Sequence, residues 1–212
     1  MTLSLLRTLS VASLLSLCAA CSILPKSEPV TIYRLPATTS GSRIEAASAP
    51  PAMHQRTLRI LTPYGGNAID SARILVIPSG DLLQSYAGVR WSDPAPVMLR
   101  NRLLQAFSDD GRIPNLSSDN SNVMADLQLG GDLFAFQSEY RNGVPTIVIQ
   151  FNANLIDSAS RRIIAVHNFS ITQPVSGGKV PEVVNAFGQA SDLLAADVIN
   201  WVLGLPAISL KP

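Results

Sequence analysis

Ala125-Asp126-Leu127-Gln128-Leu129-Gly130-Gly131-Asp132-Leu133-Phe134-Ala135-Phe136-Gln137-Ser138, then Arg141-Asn142-Gly143, then Thr146-Ile147-Val148-Ile149-Gln150-Phe151-Asn152-Ala153-Asn154-Leu155-Ile156, is the stretch that decides the fold. Both long runs alternate, and Asn-Gly between alternating runs is the strongest short-range hairpin signal. In the second run Ile147, Ile149, Phe151, Ala153 and Leu155 share one face, while Gln150, Asn152 and Asn154 share the other. One face therefore packs on a core and the other meets solvent or a partner. Gly130-Gly131 suggests a bulge or bend inside the first run. Asp157 to Ser160 turns the chain into a third strand carrying Ile163, Ala165, His167, Phe169 and Ile171 on one face.

Two helices flank this meander. Ser92-Asp93-Pro94 reads as a helix start, with a Ser or Asp cap and Pro at the first helical position. Leu99, Leu103, Ala106 and Phe107 form its apolar face, Arg100, Asn101 and Gln105 lie off that face, and Gly111 is the stop. The final helix opens at Pro181, after Gly177-Gly178, with Val183, Phe187, Ala190, Leu194, Val198 and Trp201 as its stripe. Upstream, Val30–Leu35 and Thr57–Leu61 read as strands, and Ala72–Ile77 reads as a central strand buried on both faces. Residues 79–93 read as a loop, Ile113–Leu116 as a short strand, and Ser117–Asn122 as a turn. Strands, helix, three-strand meander and helix in that order predict an α+β domain: a mixed, mainly antiparallel sheet with two helices packed on one face.

The N-terminus carries a different message. Residues 1–20 have one charge, Arg7, followed by a short apolar run and the small residues Ala19-Ala20 before Cys21. The run is too short to span a bilayer and matches a cleaved export signal. Two readings stand: a lipoprotein signal that leaves Cys21 as a lipidated N-terminus, which the small residues favour, and an ordinary secretory signal cut after Ala20. Cys18 stands where an aliphatic residue is usual. The organisation that follows is a signal peptide at 1–20, then a lipidated terminus, tether and first strand at 21–55. An α+β domain at 56–205 and a tail at 206–212 complete the chain.

Composition excludes several classes. The chain has 16 Lys and Arg against 15 Asp and Glu, so removal of Arg7 leaves a neutral domain with no basic footprint for nucleic acid. Both cysteines lie at or before residue 21, which leaves the domain without disulfide or thiol nucleophile. The two histidines, His54 and His167, are far apart and lack ligand-spaced neighbours. No nucleophile elbow, P-loop or dinucleotide fingerprint occurs. The expectation is therefore no catalytic residue, no metal and no cofactor. His167 reads as a half-buried structural histidine. The Tyr86, Arg90 and Trp91 group has two readings. Trp91 plugs the core ahead of the helix, or the loop offers aromatic and Arg anchors to a partner.

Taken in order, these features resemble the auxiliary lipoprotein component of ABC-type lipid transport systems. The residues carrying the likeness are Cys21-Ser22, Tyr33-Arg34-Leu35, Arg73 to Pro78, Ala87 to Pro94 leading into Leu99 and Phe107, Asp126 to Phe136, Leu155-Ile156-Asp157, and Val184 to Trp201. The resemblance implies a non-enzymatic partner of an MCE-domain periplasmic protein, held in the membrane by acylated Cys21. Ser22, in place of an inner-membrane-retaining Asp, implies the periplasmic face of the outer membrane. Homo-oligomers are compatible with it. Competing classes are an envelope assembly or activator lipoprotein, binding a β-barrel or a peptidoglycan synthase, and an envelope hydrolase.

Overall fold

A computed structural model describes residues 29–37 and 56–205. In chain order the strands before the first helix are β1 (Thr31–Tyr33), β2 (Thr57–Ile60), β3 (Tyr64–Gly65), β4 (Leu75–Ile77), β5 (Gln84–Ser85) and β6 (Val89–Trp91). Helix α1 (Ala95–Asp110) is followed by β7 (Asn115–Ser118), β8 (Leu127–Arg141), β9 (Val144–Asp157), β10 (Arg162–Pro174) and helix α2 (Val180–Gly204).

The hairpin forms where the sequence places it. Asn142 and Gly143 adopt φ of 51° and 78°, the paired left-handed conformations of a type I′ turn that matches strand twist. Their geometry sets Arg141 opposite Val144, and the antiparallel ladder runs from there to Leu127 opposite Asp157. β10 continues the meander on the far side of β9. Ile147, Ile149, Phe151, Ala153 and Leu155 are all buried, whereas Gln150 is exposed and Asn152 and Asn154 are half-buried.

The other edge of β8 is less regular. β2, β3 and β4 pair with it in succession and in parallel, opposite Leu127–Leu129, Asp132–Leu133 and Gln137–Glu139. Residues 57–77 thus climb along β8 in three short steps. β7 lies parallel to β2 on its outer side, and β5 closes on β4. β4 is sandwiched between β8 and β5, which is why Leu75 and Val76 are both buried. The sheet is mixed, with long antiparallel ladders and short parallel ones, and with its two helices it forms an α+β domain.

The bulge falls elsewhere than the glycine pair suggests. The ladder keeps register through Gly130 and Gly131 and shifts between Leu133 and Ala135, so Phe134 is the extra residue. It stands 64% exposed. Gly131 serves a close approach instead. At φ 139°, a Cβ there would lie 1.9 Å from the Asn152 carbonyl oxygen.

One core joins both helices to the sheet. At its centre Phe136 of β8 and Phe187 of α2 stack at 4.9 Å, and Trp91 of β6 meets them edge-on. α1 departs from the expected cap. The cap residue is Pro94, whose carbonyl accepts the Met98 N–H at 3.1 Å, and no side chain caps the helix. Ser92 lies two residues before the cap, its N–H bonded to the Tyr33 carbonyl. Pro96 in the first turn removes one of the donors a cap would satisfy. Gly111 ends the helix as expected, its N–H bonded to Phe107 O. α2 starts with Pro181 in its first turn and Glu182 accepting the Lys179 N–H at 2.8 Å, the return half of a capping box. The segment expected as loop, 79–93, contains β5 and β6, and the short strand expected at 113–116 lies at Asn115–Ser118. β6 and β7 form by pairing with β1 and β2, strands distant in sequence, whereas β5 pairs with the nearby β4.

Candidate functional site

The first strand, β1, follows Cys21 by ten residues in the sequence. Cys21 itself, the signal segment and His54 lie outside the described residues. The compact body begins at Thr31, so β1 belongs with it. β1 pairs in parallel with β6 over three residue pairs, as a two-stranded unit apart from the main sheet. Thr31 N–H donates to Gly88 O at 2.9 Å and Ser92 N–H to Tyr33 O at 2.8 Å. β6 is tied inward in turn, its Trp91 N–H donating to Ala72 O at 2.8 Å. Thr31 and Ile32 are exposed, while Tyr33 and Leu35 rest against the core.

Arg102 of α1 fastens the end of this strap. Its guanidinium donates to the carbonyls of Leu35 and Pro36 and pairs with Asp192 of α2 at 2.9 Å. The side chain is 10% exposed. A charge so far withdrawn from water needs these partners to repay its desolvation. Arg34, Leu35, Met98, Asn101 and Arg102 line an open groove of about 280 Å³ between strap and helix.

The Tyr86, Arg90 and Trp91 group is split by the fold. Trp91 is fully buried, its ring inside the aromatic cluster, so it plugs the core and presents no surface anchor. Its indole N–H has no partner. Tyr86 is half-buried on the segment after β5, its hydroxyl 3.2 Å from Ser138 Oγ. Burial raises the phenol above its ordinary value, the Ser138 hydrogen bond opposes this, and Tyr140 adds to it. Arg90 is exposed on β6. Leu82 and Leu83, 52% and 43% exposed, flank β5.

Arg100 corrects the sequence reading most sharply. Expected off the apolar face, it is 6% exposed. It reaches Asp119 at 2.5 Å, Thr62 Oγ1 at 3.1 Å and Asn120 at 3.3 Å. Burial pushes the Asp119 carboxyl up, but the Thr62 hydroxyl and N–H together with Arg100 outweigh it and hold the group below the usual carboxylate range. The signal was in the spacing. Pro96, Leu99, Arg100, Leu103 and Phe107 follow the i, i+3, i+4, i+7 rhythm of a buried stripe, and an Arg inside it implies a buried acidic partner. That partner sits in a loop 19 residues on, where spacing cannot find it.

Several carboxylates are occupied structurally. Asp110 pairs with Arg112 at 2.7 Å, Asp126 accepts the Thr57 N–H at 2.8 Å, and Asp157 accepts from the Ser160 N–H and hydroxyl at 2.8 and 2.6 Å. Those two bonds hold Asp157 below its ordinary value. His167 is exposed, a correction to the half-buried expectation. β10 is the last strand of the sheet order, and the ring is covered mainly by Phe169 and Trp201, with centroids 4.5 and 5.8 Å away. Among the described residues no group of three or more His, Cys, Asp or Glu could hold a metal, and no helix is long and apolar enough to cross a membrane.

An α+β domain with a short N-terminal strand pinned beside its first helix is the class of protein this geometry defines. The family model for the ABC-type transport auxiliary lipoprotein component matches residues 35–199, and the chain belongs to that family. A crystal structure of a Xanthomonas campestris protein of the family designated DUF330 is 30% identical, with a TM-score of 0.71 over 82% of this chain and 95% of that one. A second solved structure, of an uncharacterised protein, is 16% identical with a TM-score of 0.63, covering 82% of this chain and 99% of its own, and shows the same fold. No curated protein matches the chain.

Proposed function

We propose that this lipoprotein is a non-catalytic docking subunit. It holds the periplasmic MCE-domain component of an ABC-type lipid transporter at the periplasmic face of the outer membrane. The observation that carries the reading is membership of the transport auxiliary lipoprotein family across residues 35–199. The Cys21-Ser22 sequence supplies the anchor and its address.

The test is photo-crosslinking in intact membranes, with probes at Tyr86, Asn152 and Gln189. These positions sample the segment after β5, the outer sheet face and α2. An adduct with the MCE-domain protein from at least one position supports the docking role. Adducts only with a β-barrel protein or a peptidoglycan synthase would replace it with an assembly or activator role. Ester or glycan turnover abolished by a single Asp or Glu substitution would overturn the non-catalytic reading.

A further inference from the structure

We infer that β1 is a releasable strap that gives the membrane tether two lengths, with Arg102 as its latch. The inference rests on anchorage at Cys21 and goes beyond the docking role, since it needs no particular partner. The strap divides the chain between anchor and domain. From Cys21 to Thr31 there are about ten residues, which span at most about 35 Å when fully extended. From Cys21 to the start of β2 at Thr57 there are about 36, which span at most about 120 Å. Whether β1 is docked therefore decides more than threefold in the reach of the domain from the bilayer.

The docked state is held by few contacts. β1 shares three residue pairs with β6 and joins no other strand among the described residues. The β8–β9 ladder, by contrast, runs the whole length of both strands. Strand pairs this short gain little alone. Two further contacts complete the hold. Tyr33 and Leu35 lean on the core, and Arg102 grips the Leu35 and Pro36 carbonyls while paired to Asp192. Arg102 thereby couples strap, α1 and α2 at a single guanidinium. Its Nε is buried without a partner, so the docked state leaves part of the desolvation cost of this charge uncompensated. Elements with few buried contacts open locally at free energies well below that of global unfolding. The strap also lies in the path of any load between anchor and body, because tension on Cys21 reaches the sheet through Thr31. Its release adds tether while leaving the main sheet paired, since that sheet includes neither β1 nor β6, and β6 keeps its Trp91 N–H bond to Ala72 O.

The experiment uses the full lipidated protein in vesicles of phosphatidylethanolamine and phosphatidylglycerol. A donor on Ser158 and acceptors on the lipid headgroups report the height of the domain. Hydrogen exchange at the Thr31 and Ser92 amides reports strap docking. For the native chain we expect one height compatible with the short tether and slow exchange at both amides. Arg102→Ala is expected to speed exchange at both by at least tenfold and to shift the height distribution outward. Thr31→Pro, which removes the N–H bonded to Gly88 while touching no core residue, is expected to speed exchange at the remaining Ser92 amide and to shift the height outward, and it serves if Arg102→Ala fails to fold. A cross-strand disulfide from Ile32→Cys with Arg90→Cys, a paired position, should restore the short height in the Thr31→Pro background. Unchanged height with fast exchange overturns the two-length tether. Unchanged exchange in both variants overturns the latch. Failure of the native chain to co-float with vesicles overturns the anchorage, and the strap's role with it, whereas loss of crosslinks to the MCE-domain protein touches only the docking proposal.

Discussion

The Trp91 indole meets the Phe187 ring edge to face, centroids 5.2 Å apart and planes at 89°. The contact joins the strand that receives β1 to the helix that covers the sheet, and Phe136 completes it from below. Such aromatic pairs add about 0.5–1.5 kcal/mol beyond area burial. Trp91→Ala should therefore cost about 3–5 kcal/mol, lowering the thermal midpoint by about 10 °C for a domain of this size. Tyr86→Ala, half-buried with one long hydrogen bond, should cost less than half as much. Paired thermal melts check the ranking, and equal losses would mean the cluster does not organise the core.

Arg100 and Asp119 form the buried pair whose loss should be asymmetric. Asp119→Ala leaves Arg100 withdrawn from water with only neutral partners. The expected cost is about 2 kcal/mol, below the roughly 3–5 kcal/mol of a wholly buried pair, because the Asp119 side chain is 31% exposed. Arg100→Met keeps the stem packed and frees an Asp119 that solvent can reach, so it should cost less. Urea titrations of both variants decide it. A larger loss for Arg100→Met would show that the guanidinium bonds to Thr62 and Asn120 matter more than the charge pair.

Much of this molecule is written locally, and what is not has a physical reason. The β8–β9–β10 meander is legible because alternation and an Asn-Gly turn fix register without reference to the rest of the chain. The stripe of α2 is legible because one face is apolar at every turn. The three parallel steps β2, β3 and β4 are not, since a two- to four-residue strand takes its partner from the distant β8. Gly130-Gly131 signals a backbone need, but composition cannot distinguish an extra residue from the close approach of Asn152. Arg100 was hidden by its charge, whereas the core-plug role of Trp91 was readable although the strand that carries it was not, because β6 forms only by pairing with β1.

Gly131 offers a sharp test of that close approach. At φ 139° no L side chain is comfortable, and a methyl group would overlap the Asn152 carbonyl. Gly131→Ala should cost more than about 3 kcal/mol, combining backbone strain with displacement of the β9 backbone. Gly66→Ala, where a Cβ meets nothing within 4 Å, should be close to neutral. Chemical denaturation of the two variants separates them. A mild Gly131→Ala would mean that β8 and β9 can move apart at this point.

Acid should weaken the domain in a narrow window. Asp119 and Asp157 are both held below the ordinary carboxylate value of about 3.9. A group depressed in the folded state contributes stability that is fully present above its unfolded pKa and is lost as pH falls through the folded one. These two groups should therefore contribute no slope between about pH 5 and 7, with the loss setting in below about pH 4. In Asp157→Asn that acid limb should flatten, because the Ser160 bonds no longer depend on ionisation. Thermal midpoints across pH check both. A native-like acid limb in Asp157→Asn and Asp119→Asn alike would assign the loss to other carboxylates.

Cys21→Ala separates folding from anchorage. The residue precedes Thr31, where the compact body begins in the sequence, so the variant should melt as the native domain does. Membrane attachment should be lost almost entirely, since each buried methylene contributes about 0.8 kcal/mol and stable anchoring takes more than one chain. Fractionation of cells carrying either form measures this, and the family's lipoprotein character sets the expected sign. Persistence of the variant in the membrane pellet would move the anchor from Cys21 to a bound partner. The native chain should leave the pellet only with detergent, whereas a partner-held variant would leave it in high salt if charges hold the complex.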